Sequence, residues 1–180
     1  KPLVYNNSTF NFGGETNFVI IEHGNQTKKA ILSNFGESKG LTLWSKVINP
    51  EAGINNVEVR LKIVTENGNG NTDAGLKWKN AGKEYYLSIS KNGLELFQKS
   101  TIKEDAPKLI YQNSEVEKND LLSYNLKIVA LQDSLNVYVD DVLQIKIPKV
   151  QATDSREGIS QLGIAASNGV VEFGPIKIGN

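Results

Sequence analysis

The sequence predicts an all-β protein built as an antiparallel sandwich or barrel, and three observations carry that reading. Apolar residues recur at every second position, turn pairs punctuate the runs, and no stretch of about ten or more residues carries a helical stripe. Val57, Val59, Leu61 and Ile63 alternate with Glu58, Arg60 and Lys62, the pattern of a strand with one buried and one wet face. Tyr85, Leu87 and Ile89 alternate with Tyr86, Ser88 and Ser90 in the same way. Tyr124, Leu126 and Ile128 alternate with Asn125 and Lys127, and Leu135, Val137 and Val139 with Asn136, Tyr138 and Asp140. Leu143, Ile145 and Ile147 continue the pattern with Gln144 and Lys146 between them. Leu126, Ile128, Val137 and Val139 are therefore expected in the core.

The punctuation is that of hairpins. Asn92-Gly93 lies between the run ending at Ser90 and the run Leu94 to Phe97, and Asn-Gly is favoured where turn residues need positive φ. Asp140-Asp141 and Asn168-Gly169 read as two further tight turns. Residues 66–73 form a longer loop with two more Asn-Gly pairs. Pro50, Pro107, Pro148 and Pro175 fall at run ends or in loops, where a missing N–H does least harm. With no repeat and no linker composition, residues 1–180 read as a single domain.

Composition narrows the function. The 180 residues are 39% hydrophobic and 22% charged, enough for a core. Lys plus Arg number 20 against 20 Asp plus Glu, and no basic stripe is present, which argues against nucleic acid as a partner. No apolar run approaches the ~20 residues that span a bilayer, so membrane insertion is not expected. Lys1 opens the sequence without an initiator Met or a signal peptide, as in a processed protein or an excised domain. The absence of Cys removes disulfides, thiolate metal sites and a cysteine nucleophile. Asn-x-Ser/Thr acceptors at Asn6, Asn7 and Asn25 and an Asn- and Gly-rich surface fit a secreted or cell-surface location.

Several segments together resemble the concanavalin A-like lectin/glucanase superfamily, in particular its laminin-G-like and carbohydrate-binding members. Residues 55–63 look like the lead-in strand of its shared block, and Ala74-Gly75-Leu76-Lys77-Trp78-Lys79 like its small-Gly-apolar-x-aromatic-basic strand. Glu84-Tyr85-Tyr86-Leu87-Ser88-Ile89 followed by Gly93-Leu94-Glu95-Leu96 is similar to the next hairpin. Tyr124 to Ile128 and Leu135 to Asp140 resemble the following strand pair, residues 158–165 and 170–178 the closing strands, and Leu41-Thr42-Leu43-Trp44 an opening strand. The resemblance implies a two-sheet antiparallel jelly-roll sandwich. It also implies a lectin-like, non-catalytic carbohydrate-binding module, with a structural or adhesion domain as the alternative and a glycan-active hydrolase as a third. The implied partner is a glycan or a cell-surface protein.

Residue chemistry supplies the candidate sites. A glycosidase needs two carboxyls about 5–10 Å apart. Residues two apart on a strand share a face at roughly 7 Å, so Glu-x-Asp-x-Glu would be diagnostic, and it is absent. Glu115 with Glu117 and Asp140 with Asp141 are better read as a loop and a turn. His23, the one histidine, marks a strand end and offers a ligand contact rather than a base. Sugar binding uses aromatic faces ringed by polar side chains. Trp44, Trp78, Tyr86 and Tyr138 are the candidate aromatics; Trp78 shares its face with Leu76 and is expected in the core. Tyr86 and Tyr138 lie on polar strand faces, with Arg60, Lys77, Lys79, Asn125, Lys127 and Asn136 on polar faces too. Tyr86, Tyr138, Lys77, Lys127, Asn125, Asn136 and Arg60 thus form the candidate ligand-binding set, a solvated outer sheet being the competing reading. No cofactor is required. The loop Asn67-Gly68-Asn69-Gly70-Asn71-Thr72-Asp73 offers oxygens for a structural Ca²⁺ with Asp73 as its one carboxylate. Where calcium-holding relatives carry an Asp after the Phe of the last strand pair, Phe173 is followed here by Gly174.

Overall fold

The computed structural model describes residues 3–4, 10–11, 18–23, 27–33, 41–45, 55–66, 72–80, 82–90, 93–102, 104–116, 122–131, 134–148, 159–174 and 176–179. Among them are sixteen strands and no helix. They are β1 (Leu3–Val4), β2 (Phe10–Asn11), β3 (Phe18–His23), β4 (Thr27–Ser33), β5 (Leu41–Ser45), β6 (Asn56–Glu66), β7 (Asp73–Asn80) and β8 (Lys83–Ser90). The chain continues with β9 (Gly93–Ser100), β10 (Lys108–Asn113), β11 (Ser123–Ala130), β12 (Ser134–Val139), β13 (Val142–Pro148), β14 (Gln161–Ser167), β15 (Gly169–Phe173) and β16 (Lys177–Gly179).

The strands form two antiparallel sheets. Sheet A runs β13-β12-β11-β6-β15-β4-β3, with β16 joining β6 to β1, and sheet B runs β10-β9-β8-β7-β14-β5-β2. Period-two alternation turns one face of each sheet inward. Val57, Val59, Leu61, Leu126, Ile128, Val137, Val139 and Phe173 of sheet A belong to the same buried cluster as Leu76, Trp78, Leu87, Ile89, Leu94, Leu96 and Ile164 of sheet B. Trp78 is 1% exposed, and its ring stacks on Tyr85 at 5.1 Å.

The hairpin signals are matched by backbone conformation where the residues are described. Asp140 and Asp141 have φ of 49° and 65°, the left-handed pair that a tight turn between two twisted strands requires. Asn168 has φ of 56° between β14 and β15. Gly93, with φ of 101°, opens β9. The acceptor residues Asn6, Asn7 and Asn25, loop residues 67–71 and Glu117 lie outside the described residues.

Leu143 departs from the expected alternation: it is 49% exposed, whereas Ile145 is buried. The ladder explains it. Val137 pairs with Ile145 but Tyr138 pairs with Leu143, so Gln144 is an extra, bulged residue that switches the facing of the strand before it. A matching bulge at Ile110 interrupts β10, where Leu109 pairs with Phe97 and Tyr111 with Leu96. The bulged strands lie at the ends of their sheets and meet there. Tyr111 Oη donates to the Gln144 carbonyl at 2.9 Å, and Asn113 Nδ2 to Gln144 Oε1 at 3.0 Å.

Candidate functional site

The ladders of sheet B place one row of residues straight across six strands. Trp44 pairs with Gly163, Gly163 with Lys77, Lys77 with Tyr86, Tyr86 with Phe97 and Phe97 with Leu109. Directly paired residues share a face, and the inward positions of these strands are the core residues above, so the whole row faces outward. From Trp44 to Phe97 it crosses four strand steps, about 19 Å at about 4.8 Å each.

Glycine makes this row possible at Trp44. A β-carbon at Gly163 would lie 2.9 Å from the Trp44 ring, so the six-membered ring of the indole comes down on bare backbone. The next row across the sheet is also made of small residues: Ala165 pairs with Gly75, and Gly75 with Ser88. No side chain fits at Gly75, where a β-carbon would meet the Leu87 carbonyl oxygen at 1.7 Å. The larger side chains of the first row reach out toward its flanks. Lys77 Nζ donates to Thr42 Oγ1 at 2.9 Å, and Tyr86 Oη donates to Asp73 Oδ1 at 2.6 Å. Ser167 Oγ donates to the other carboxylate oxygen of Asp73.

Along the row Lys77 stands between Trp44 and the adjacent pair Tyr86 and Phe97. The Tyr86 and Phe97 rings stack at 6.1 Å, and Lys77 Nζ stands 5.1 Å from the Tyr86 ring and 6.0 Å from the Trp44 ring. Lys79, two residues along β7 on the same face, places its Nζ 4.7 Å from the Trp44 ring. Burial lowers the Lys77 pKa, opposed by the charge of Glu84. Burial raises the Tyr86 pKa well above the usual phenol value, and the Asp73 carboxylate adds to it, so the hydroxyl stays a donor. A shallow hollow beside Tyr86 is lined by Lys77, Glu84, Phe97, Gln98, Lys99 and Pro107.

Three carboxylates face outward among the described residues of β7, β8 and β9: Asp73, Glu84 and Glu95. Asp73 pairs with Ser90 and Glu95 with Ser88, which sets those two about 12 Å apart across two strand steps. Glu84 lies four residues from Ser88 along β8, about 13 Å away. Glu84 is held by Lys99 at 3.3 Å, and Asp73 by its two hydroxyl donors.

The structure divides the expected ligand-binding set between opposite faces of the sandwich. Tyr86 and Lys77 are in the sheet B row. Arg60, Asn125, Lys127, Asn136 and Tyr138 belong to β6, β11 and β12 of sheet A and cannot touch a ligand lying on Tyr86. Lys127 Nζ stands 5.9 Å from the Tyr138 ring, and Asn125 Nδ2 donates to Glu58 Oε1 at 2.6 Å. Asn136 needs a correction as a surface contact, because it is only 8% exposed and its Oδ1 is buried without a hydrogen-bond partner. Its strand is buried on both sides from Ser134 to Val137, so alternation alone misassigned it to a wet face. Asp73 accepts from Tyr86 and Ser167, and the loop residues 67–71 expected to share a Ca²⁺ with it lie outside the described residues. Glu115 lies in a turn and His23 closes β3. Phe97 and Glu84 lie on the same face as this candidate row and were not singled out from the sequence, although the inward run of Leu94 and Leu96 already turns Phe97 outward.

No family model and no curated protein sequence matches the chain. Solved structures do. A carbohydrate-binding module (CBM66) from Bacillus subtilis superposes with a TM-score of 0.55 at 17% identity, over 88% of this chain and 92% of that one. A mixed-linkage-glucan GH16 protein of Bacteroides ovatus, in complex with product, gives a TM-score of 0.69 at 10% identity over 97% and 96%. The receptor-binding domain of botulinum neurotoxin type G gives 0.55 at 13% identity, over 94% of this chain and 42% of the neurotoxin chain. The fold is thus the concanavalin A-like jelly roll, the architecture that the sequence resembles. Among the described residues no helix is long and apolar enough to cross a membrane.

Proposed function

We propose that residues 1–180 form a non-catalytic carbohydrate-binding module of a secreted or cell-surface protein, and that it takes a glycan chain across the outer face of sheet B. The observation that carries this reading is the row Trp44, Lys77, Tyr86 and Phe97, with its small-residue floor of Gly163, Ala165 and Gly75. Apolar sugar faces stack on aromatic rings, and the Lys77 ammonium supplies a donor to sugar hydroxyls between two of those rings. Similarity in fold to a carbohydrate-binding module and to a glucan-active GH16 protein favours a saccharide over other ligands of this face. The non-catalytic part is supported by the outward carboxylates: they stand farther apart than a glycosidase pair, and Asp73 and Glu84 are already engaged.

Isothermal titration against plant, algal and bacterial oligosaccharides tests the reading. Trp44→Ala is expected to weaken binding about tenfold to a hundredfold, the loss of roughly 1–3 kcal/mol of stacking, while Tyr138→Ala on the opposite face changes it less than about twofold. Binding no tighter than millimolar to every glycan would shift the assignment to a structural or adhesion domain. Release of reducing ends from a bound glycan would make it a hydrolase.

A further inference from the structure

We propose that the glycan is acidic, and that a sugar carboxylate or sulfate is held between the ammonium groups of Lys77 and Lys79 beside Trp44. This inference rests on the glycan-binding reading of sheet B and specifies its ligand. Two cations converge on one indole: Lys77 and Lys79 are two residues apart on β7, share its outer face, and bring their Nζ atoms to 6.0 and 4.7 Å from the same ring. Among the described residues neither ammonium has an ion-pair partner. Glu84 pairs across the ladder with Lys79, yet its carboxylate is bound to Lys99 at 3.3 Å. Asp73 has both oxygens occupied, and the polar partner of Lys77 is the neutral Thr42 hydroxyl.

Like charges gathered on a half-buried aromatic surface repel one another and lose hydration, and an anion placed between them offsets both costs. The lowered pKa of Lys77 records that lost hydration. General basicity does not explain the pair, since the chain carries 20 cationic and 20 acidic residues. A neutral sugar lying on Trp44 would share the ring face with Lys79 and bring neither ammonium a counter-charge. An acidic sugar keeps the stacking and answers the charge. Among the described side chains of the opposite sheet, Lys127 stands across the ladder from Glu58 and beside a single ring, Tyr138.

The test titrates the whole chain with neutral β-glucan oligosaccharides, oligogalacturonides and sulfated galactan oligosaccharides of matched length. At low ionic strength one or both acidic sets are expected to bind at least about tenfold more tightly than the neutral set. That advantage should shrink severalfold at about 0.5 M NaCl, where charges are screened. The arm that binds more tightly separates a carboxylate from a sulfate ligand. Lys79→Gln and Lys77→Gln should each reduce the acidic-over-neutral ratio severalfold, whereas Lys127→Gln, the same charge change on sheet A, should leave it intact. Neutral glycans bound as tightly as acidic ones would overturn this proposal and leave the glycan site standing. An acidic preference that Lys127→Gln removes and Lys79→Gln does not would overturn it too. Absence of binding to all three sets would overturn both readings.

Discussion

The two outer faces of the sandwich are made from the same alternation and have opposite surface chemistry. On sheet A, long polar side chains stand on long polar neighbours: Asn125 donates to Glu58, Arg60 and Lys62 are exposed, and Lys127 faces Glu58 across the ladder. On sheet B, the middle of the face is Gly163, Ala165, Gly75 and Ser88, and the side chains around it lie down over that floor. One face presents polar groups beside polar groups, and the other an aromatic row over a floor of small residues. The difference comes from the size of the residues between the large ones, a property that hydropathy does not measure.

If the difference lies only at the surfaces, the cores beneath them should respond alike. Leu76→Ala under sheet B and Leu126→Ala under sheet A should each cost about 2–5 kcal/mol in urea denaturation, since both are fully buried and leave cavities. Leu143→Ala, beyond the β13 bulge, should cost under about 0.5 kcal/mol. A large cost there would show that the bulge is misplaced.

The floor is the next point to break. Gly163→Ala drives a β-carbon into the Trp44 ring and is expected to cost about 1–3 kcal/mol. Trp44 emission should shift to the red as the indole lifts, with the buried Trp78 as an unchanged internal reference. Val129→Ala on sheet A, where the outer face has no such contact to protect, should stay within about 0.5 kcal/mol.

Tyr86 gives a smaller effect with a pH signature. Its folded-state pKa is raised, so the native state holds a proton that the unfolded chain releases near pH 10, and stability falls as pH rises beyond about that value. Tyr86→Phe should cost about 1 kcal/mol at neutral pH through the lost bond to Asp73, and should flatten the decline above about pH 10. An unchanged alkaline slope would remove Tyr86 from that role. The smallest effect is expected from Asn125→Ala, under about 0.5 kcal/mol, because the bond to Glu58 is only part-buried on the outer face.

Much of the fold was legible from the sequence because period-two alternation decides which face of a strand is buried. That rule placed Leu126, Ile128, Val137, Val139 and Trp78 in the core and turned Tyr86 and Lys77 outward. It failed where a local event interrupts the period, as at the Gln144 bulge that exposes Leu143, or where both faces of a strand are covered, as at Asn136. The site was only half legible for a different reason. Alternation assigns a face within one sheet but does not say which strands share a sheet, so Tyr138 and Tyr86 looked like partners although the core separates them. Trp44 and Gly163 are more than a hundred residues apart in sequence, and only the pairing of β5 with β14 brings the indole onto the glycine.

The side-chain bridge between β10 and β13 bears on how such a chain behaves among copies of itself. An open sheet edge offers a row of unpaired N–H and C=O groups on which a passing strand can build. Here both edge strands are bent by a bulge, and Gln144, the residue left out of its ladder, gives its carbonyl to Tyr111 and its amide oxygen to Asn113. On this side of the sandwich the two sheet ends are thereby tied to each other, while β3 and β2 form the opposite ends. Bent edges that are bridged to each other make a poor template for a passing strand on that side of the sandwich.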